Sequence, residues 1–345
     1  MEPWQQQLTA SLTRPEQLAE RFGLDPAPLQ AVVERYPMRI TPHTLSLIER
    51  PGDPIWRQSV PDPDELLPDQ LYADPLNEAA FSPVPAVVHR YPDRALLLVS
   101  GTCAGYCRFC TRKSRVGRPE LCFSAQQVAE GIAYIAGRPE IRDVILTGGD
   151  PLLLDDDRLA TWLAQLRAIE HLEILRIGTR VPVTLPDRIT PQLCALLSRH
   201  HPLYINMHFN HPQELTPASA AACARLADAG IPLGNQTVLL RGVNDDPQVM
   251  ARLCRGLLSM RVRPYYLHQM DMACGTTHFR VPVAQGLDIV EALRGRVSGL
   301  GIPSYMIDPP GGEGKVVLTR DCLAAEAGKV LVRNAQGGLI SLPDH

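Results

Sequence analysis

Three cysteines, one lysine and a handful of charged side chains carry whatever chemistry this 345-residue chain performs. Cys103, Cys107 and Cys110 stand at the spacing C-x3-C-x2-C. Three thiolates this close in sequence can hold three corners of a cubane iron–sulfur cluster, and such clusters ordinarily take four cysteines. The next cysteine, Cys122, lies twelve residues on, so one iron is left for a ligand that is not protein. Zinc is the competing reading. It prefers four nitrogen or sulfur ligands, in paired C-x2-C units.

Other residues could do chemistry but are ambiguous singly. Lys315 ends Gly311-Gly-Glu-Gly-Lys. This is no phosphate-binding P-loop, since position 309 is not glycine and position 316 is neither Ser nor Thr. A lysine in a glycine-rich loop can reach an aldehyde if burial or nearby cations strip its proton; taken alone it reads as a solvated loop residue. His89-Arg-Tyr-Pro-Asp-Arg94 could grip phosphate through arginine forks or be a surface patch. Gly148-Gly149-Asp150 could let a ligand approach the backbone while the acid accepts from an ammonium, or could be a plain turn. A lone His208 more often sits satisfied in a core, and Asp271 or Asp308 alone reads as a turn or cap.

The elements that must position these residues follow from hydrophobic patterning. Leu96 to Val99 reads as a buried strand emptying into the cysteine loop. It opens the first of six strand–helix units, whose other strands lie at 144–147, 174–177, 203–208, 233–239 and 264–268, and a final strand at 304–307 ends the series. Helices are expected from Ser124 to Ala136, Leu159 to Leu166, Thr190 to Ser198, Pro217 to Ala229, Pro247 to Leu258 and Val283 to Val297. This alternation predicts an α/β fold with a parallel sheet and outer helices. Polar residues recur at the strand ends, as they do at the one face of a barrel.

Before this lies an arm, residues 1–94, expected to hold a helix capped by Thr13-Arg-Pro-Glu16, a second from Asp25-Pro26 and a third from Thr41-Pro42. From Pro54 to Pro85 the Pro- and Asp-rich composition predicts an extended wrap without a catalytic role. Residues 95–318 form the repeating domain with the lysine loop, and residues 319–345 a tail with a hairpin around Gly337-Gly338. Hydrophobic residues are 45%, charged residues 21%, and net charge is −3, which proposes no nucleic-acid substrate. No run of 18 apolar residues spans a membrane, and no secretory signal is visible at Met-Glu-Pro-Trp. Nine cysteines, three of them clustered, point to a reducing compartment, expected to be the cytoplasm.

The C-x3-C-x-aromatic-C loop after a first strand resembles the radical S-adenosylmethionine (SAM) superfamily, whose fold is a partial (β/α)6 barrel and whose SAM completes the fourth iron of a [4Fe-4S] cluster. The motifs together resemble the lysine 2,3-aminomutase family: His89 to Arg94, the cysteine loop with Thr111-Arg112, Thr147 to Leu152, Ile177 to Arg180, Phe209 to Pro212, Asn235 to Asp245, Arg263 to Tyr266, His278 to Arg280 and Asp308 to Lys315, in order over residues 37 to 318. That resemblance implies a radical SAM isomerase using pyridoxal 5′-phosphate (PLP), with Lys315 binding its aldehyde and Arg90, Tyr91 and Arg94 its phosphate. Gly148, Gly149, Asp150, Arg180, His208 and Gln236 would face SAM. Arg112 would hold the substrate carboxylate, and Asp271 with Asp308 the distal ammonium of lysine.

Two buried carboxylates need a cation to stay ionised; lysine brings one, whereas glutamate would add a third negative charge. The implied partners are lysine and a reductant such as flavodoxin or ferredoxin. Relatives that bind zinc between subunits place a cysteine where this chain has Asp246, and carry a cysteine cluster near the C-terminus that is missing here; no zinc is therefore expected, and a homodimer stays open beside the family's tetramer. Alternatives are the β-lysine-forming enzyme of elongation factor P modification, a 2,3-aminomutase for another amino acid, a SAM-consuming enzyme without PLP, and a non-catalytic iron–sulfur protein.

Overall fold

The computed structural model describes residues 2–312, 314–320, 323–326, 329–333 and 339–343. Nine strands form one sheet in chain order. β1 (Val87–Tyr91) runs antiparallel to β2 (Arg94–Ser100). The sheet is then parallel through β3 (Asp143–Gly148), β4 (Ile174–Gly178), β5 (Leu203–Met207), β6 (Leu233–Val238), β7 (Arg263–His268) and β8 (Ser304–Ile307). β9 (Val316–Val317) returns antiparallel along β8. β1 and β9 do not pair with each other, so the sheet is a partial barrel, and each strand expected from patterning is present. Three more strands, β10 (Leu323–Glu326), β11 (Lys329–Arg333) and β12 (Leu339–Pro343), form a separate antiparallel sheet. Gly337 and Gly338, the expected turn between β11 and β12, lie outside the described residues.

Helices join the parallel strands, and most begin where a side chain can take the first free backbone N–H groups. Ser124, Asp155, Thr190, Thr216 and Asp246 each accept from the helix they precede. Pro191, Pro217 and Pro247 then fix the first turn. The strands alternate. Val144 and Leu146 of β3, Leu175 and Ile177 of β4, and Leu203 and Ile205 of β5 are buried against the helices. Their neighbours Ile145, Thr147, Arg176, Gly178 and Asn206 face the barrel interior and line a cavity. Period-2 alternation therefore separates an apolar outer layer from an inner face free to carry polar chemistry.

The arm departs from expectation in three places. Residues 54–85 are not simply extended: Pro54–Ser59 is a helix, and 3-10 turns occupy Pro63–Leu66 and Glu78–Phe81. The reason is local. Asp53 accepts from Ile55 N and Trp56 N, and Ile55 and Val60 pack with Leu18, Leu29, Met38, Ile40, Leu45 and Ile48 into a small core of their own. The helix Pro15–Phe22 is capped from within rather than by Thr13 and Glu16: Gln17 Oε1 accepts from Thr13 N and Arg14 N. A helix at Pro3–Thr9, not expected, puts Trp4 under the Arg188 guanidinium.

One close approach fixes the cysteine loop. Gly149 N donates to Ser100 O at 2.5 Å, and Asp150 N to Thr102 O at 2.8 Å. Gly148 has φ +116°. A Cβ on Gly148 would collide with Ser100 O, and one on Gly149 with Thr102 O. Only glycine lets the two backbones meet. Gly149→Ala is expected to push the loop away from β3, at about 1–3 kcal/mol of overpacking. Iron and sulfide content after anaerobic reconstitution should fall while far-UV circular dichroism stays native; full cluster content would show that the approach is not needed.

Candidate active site

All the residues singled out for chemistry line one cavity of about 540 Å³ at the carboxyl ends of the strands. The cysteine loop leaves β2 and lays Cys103, Cys107 and Cys110 along one wall. Burial pushes the Cys103 thiol well above its usual range, with Asp150, Cys110 and Cys107 adding to it. Burial and Cys107 push Cys110 up to about 11. Buried thiols that repel one another's ionised forms favour a metal as counter-charge. Among the described residues no three Cys, His, Asp or Glu side chains converge on a point one metal ion could fill, and no other cysteine reaches the cavity. A cubane is a larger body, and the three thiols fit three of its corners.

Around this wall the polar groups are already committed. Arg180 donates through Nη1 to Cys107 Sγ at 2.8 Å, through Nη2 to Gln58 Oε1 at 2.7 Å and Glu214 Oε1 at 2.8 Å, and through Nε to His208 O. The Asp150 carboxylate, expected to meet an ammonium, lines the cavity and accepts from Thr179 Oγ1, Arg180 N and Leu152 N. β3 also offers a ligand the Gly148–Gly149 backbone. His208 packs edge-on to Phe109 and its buried Nε2 has no protein partner. Burial, with Arg180 and His268 nearby, lowers its pKa far below the usual range, so it is a neutral ring. Gln236 Oε1 lies 3.2 Å from His268 Nε2, and burial with Lys315 nearby pushes His268 down to about 3.

The β1–β2 turn supplies the second group. Tyr91 lies between Arg90 and Arg94, each guanidinium 4.9 Å from its ring centre. Its hydroxyl accepts from Lys315 N at 2.8 Å and from Arg90 Nη2 at 3.2 Å. Two arginines and a lysine thus converge where a dianionic phosphate and an aldehyde can be held together, and these residues fit PLP. Lys315 Nζ lies 2.5 Å from Asp308 Oδ2, and Arg90 reaches the same carboxylate at 3.2 Å. Burial raises the Asp308 carboxyl, and Lys315 and Arg90 more than reverse this, holding it below the usual range.

The third group spans the cavity. Asp271 receives the Thr111 hydroxyl at 2.7 Å. Burial lifts its pKa to about 6, and Asp308 adds to that lift. Arg112 is not a free fork: Nε and Nη2 donate to the two oxygens of Glu78 at 3.0 and 2.6 Å. Glu78 also takes Arg115 at 2.5 Å. Only Arg112 Nη1, 3.4 Å from Gly148 O, stays loosely bound.

Sequence reading missed the arm's part in this. Gln58, Glu65 and Glu78 all come from the stretch given no catalytic role. Glu65 binds Arg108 at 2.8 and 2.5 Å and Lys113 at 2.7 Å, and Glu78 fixes Arg112. No local signal marks these acids, because their partners lie dozens of residues away and only folding joins them. Glu214 was missed likewise; it ends a 3-10 turn, Pro212–Glu214, and its partner Arg180 lies 34 residues away.

Residues 97–254 match the radical SAM superfamily, and residues 290–345 match the lysine-2,3-aminomutase family. An L-lysine 2,3-aminomutase from Fusobacterium nucleatum is 46% identical over 341 residues, which is 97% of this chain and 80% of that protein. One from Clostridium subterminale is 45% identical over 341 residues, 97% of this chain and 82% of that one. A glutamate 2,3-aminomutase from Clostridioides difficile is 43% identical over 319 residues, 92% of this chain and 76% of that protein. With this likeness along nearly its whole length, the chain belongs to the lysine 2,3-aminomutase family of radical SAM isomerases.

Proposed function

We propose that the protein interconverts L-lysine and β-lysine by moving the amino group between Cα and Cβ, with a [4Fe-4S] cluster, SAM and PLP as cofactors. One observation carries the choice of substrate: Asp271 and Asp308 share a cavity with Arg112, and Asp271 is buried, with the Thr111 hydroxyl on its carboxylate and, among the described residues, no cation in direct contact. A molecule with a carboxylate and a distal ammonium satisfies both ends. Glutamate would set a third carboxylate beside two. The cofactors supply a SAM-derived carbon radical, made when a one-electron donor of the flavodoxin or ferredoxin type reduces the cluster, and an aldehyde whose conjugated ring binds the migrating nitrogen and spreads its unpaired spin.

The chain's own residues bind, orient and shield. Cys103, Cys107 and Cys110 hold three irons, while Arg180 donates to the Cys107 sulfur and steadies that corner. The Gly148–Gly149 backbone and the unpartnered His208 Nε2 are among the groups available to SAM. Arg90, Tyr91 and Arg94 take the phosphate and Lys315 takes the aldehyde. Arg112 Nη1 faces the substrate carboxylate, and Asp271 and Asp308 take the ammonium. Phe109, Val88, Leu96, Met207 and Val238 add apolar wall between the polar groups, which limits the water that could quench a radical. Free thiols at each described cysteine suit a reducing compartment such as the cytoplasm. Among the described residues no helix is long and apolar enough to cross a membrane.

An anaerobic assay of the reconstituted protein with SAM, PLP and reductant should form β-lysine from lysine and no β-glutamate from glutamate, without stoichiometric loss of SAM. The reverse preference would overturn the substrate assignment.

Lysine affinity should depend on pH through Asp271. Its carboxyl must ionise to meet an ammonium, and in the free protein it does so near 6. Binding below that pH therefore releases a proton, and Kd should rise by up to about tenfold per unit as pH falls below 6. Asp271→Asn should bind lysine weakly at each pH and flatten the profile; an unchanged slope would point to another group.

Glu78 sets the plane of Arg112. Glu78→Gln leaves two guanidinium groups close together with less to hold them, so ordering Arg112 falls on the substrate, at roughly three- to tenfold in lysine Kd. Lysinamide, which lacks the carboxylate, should bind both proteins alike. Equal losses for both ligands would mean that Glu78 serves the fold alone.

A further inference from the structure

The Lys315 ammonium stands where a substrate ammonium would. Asp308 is almost wholly buried, its side chain 2% exposed, and holds Lys315 Nζ at 2.5 Å. Lys315 and free lysine end in the same group, a primary ammonium on four methylenes. With Arg90 on the same carboxylate, Asp308 carries two cations, while its neighbour Asp271 receives the Thr111 hydroxyl and, among the described residues, no cation.

We infer that Lys315 is an internal occupant of the ammonium subsite, closing the cavity to ω-amino carboxylates until the cofactor draws its Nζ away from Asp308. The inference rests on the aminomutase reading, because it takes Asp271 and Asp308 as the ammonium subsite and Arg112 as the carboxylate partner.

The argument is one of charge and place. Lys315 and Arg90 both donate to Asp308 Oδ2, and Oδ1, which accepts no hydrogen bond, has Arg90 Nη1 3.2 Å away; a third cation brought to Oδ1 therefore meets two positive charges already beside the carboxylate, and binds well only once one of them withdraws. Condensation of Lys315 with the aldehyde forms a carbon–nitrogen double bond, with the aldehyde oxygen leaving as water and the ammonium losing its proton. The nitrogen then belongs to the cofactor, and Asp308 has room for a new donor. Arg90 moves the same way, since a phosphate competes for its fork. Tyr91 joins the two events, because its hydroxyl accepts from both Arg90 and the Lys315 backbone. His268, the other titratable group facing Lys315, is held neutral by burial and adds no charge. The cofactor thus binds first and lysine second, even for the part of lysine that never touches the cofactor.

The probe is 6-aminohexanoate. It has the carboxylate and distal ammonium of lysine but no α-amino group; its distal amine could itself condense with the aldehyde, so cofactor absorbance is followed alongside, and binding that leaves that absorbance unchanged reports the two ends alone. Binding is read by calorimetry on protein with its cluster reconstituted. Wild-type protein without PLP should bind it weakly, and PLP should tighten binding about ten- to a hundredfold, the worth of one charge-assisted hydrogen bond. Lys315→Met without PLP should match the loaded wild type, whereas Lys315→Arg, which keeps a cation against Asp308, should stay weak. Adding Asp308→Asn to Lys315→Met should abolish the gain. Should Lys315→Met not fold, the wild-type pair with and without PLP carries the test. Equal affinity with and without PLP overturns the inference, as does failure of every form to bind. A failure of the aminomutase reading is seen separately, as absence of β-lysine from wild-type protein.

Discussion

The site depends first on a buried ion triad between the arm and the cysteine loop. Glu65, Arg108 and Lys113 are 0%, 1% and 3% exposed at their side chains. Glu65 grips the Arg108 fork and the Lys113 ammonium together. Arg108 also donates to the Pro37 and Tyr36 carbonyls, and Lys113 to those of Arg108 and Gly275. Burial raises the Glu65 carboxyl, and the two cations more than reverse that and keep it ionised. Burial pulls Lys113 down to about 8, with Glu65 opposing. Removing one member of such a set leaves a buried charge unpaired, at about 3–5 kcal/mol. Arg108 lies between Cys107 and Cys110, so the triad sets the path of the backbone that must present the cluster ligands. The same loop is gripped from the other side by the Gly148–Asp150 backbone. Two independent anchors hold one short segment, as a preorganised metal site requires.

The arm is therefore part of the active site. Glu65 orients the cluster loop, Gln58 holds Arg180, and Glu78 holds Arg112. Each is an acceptor supplied from outside the barrel to a cation supplied from within. Arg180 is also neutralised from the barrel side by Glu214, whereas Arg108 and Arg112 find their carboxylates in the arm. Three buried guanidinium groups around one cavity would repel one another without counter-charges, and a strap of chain laid across the carboxyl ends of the strands is a direct way to bring those in.

The fold was largely legible because its signals are local. Each parallel strand is an apolar run, and most barrel helices open on a capping side chain, so boundaries fell within a few residues. The arm was less legible because Pro54 to Pro85 has the composition of a linker, and composition says nothing of Asp53 capping a turn or of Ile55 finding a core. The cysteine loop and Gly148-Gly149 stand out by spacing and by residue type, whereas Lys315 was singled out only by the family resemblance, since alone it reads as a solvated loop residue. Asp150 shows the limit. An acid after Gly-Gly at a strand end looks free in sequence, and its carboxylate also has Thr179 and two backbone N–H groups as partners, none of which spacing announces. Such partners are set by tertiary placement.

The distribution of charge explains why so many buried ions are tolerated. Glu65 against Arg108 and Lys113 leaves one positive charge beneath the cysteine loop. Glu78 and Asp74 against Arg112 and Arg115 leave none beside it. Arg180 against Glu214 leaves none. At the far end, Asp308 and Asp271 balance Lys315 and Arg90. The surplus is therefore one positive charge beneath the cysteine loop, while the other ion sets around the cavity close on themselves. Buried charges that close in this way avoid the cost of an unpaired ion, and the one surplus cation lies under the three thiols, whose ionised forms would bring the opposite charge.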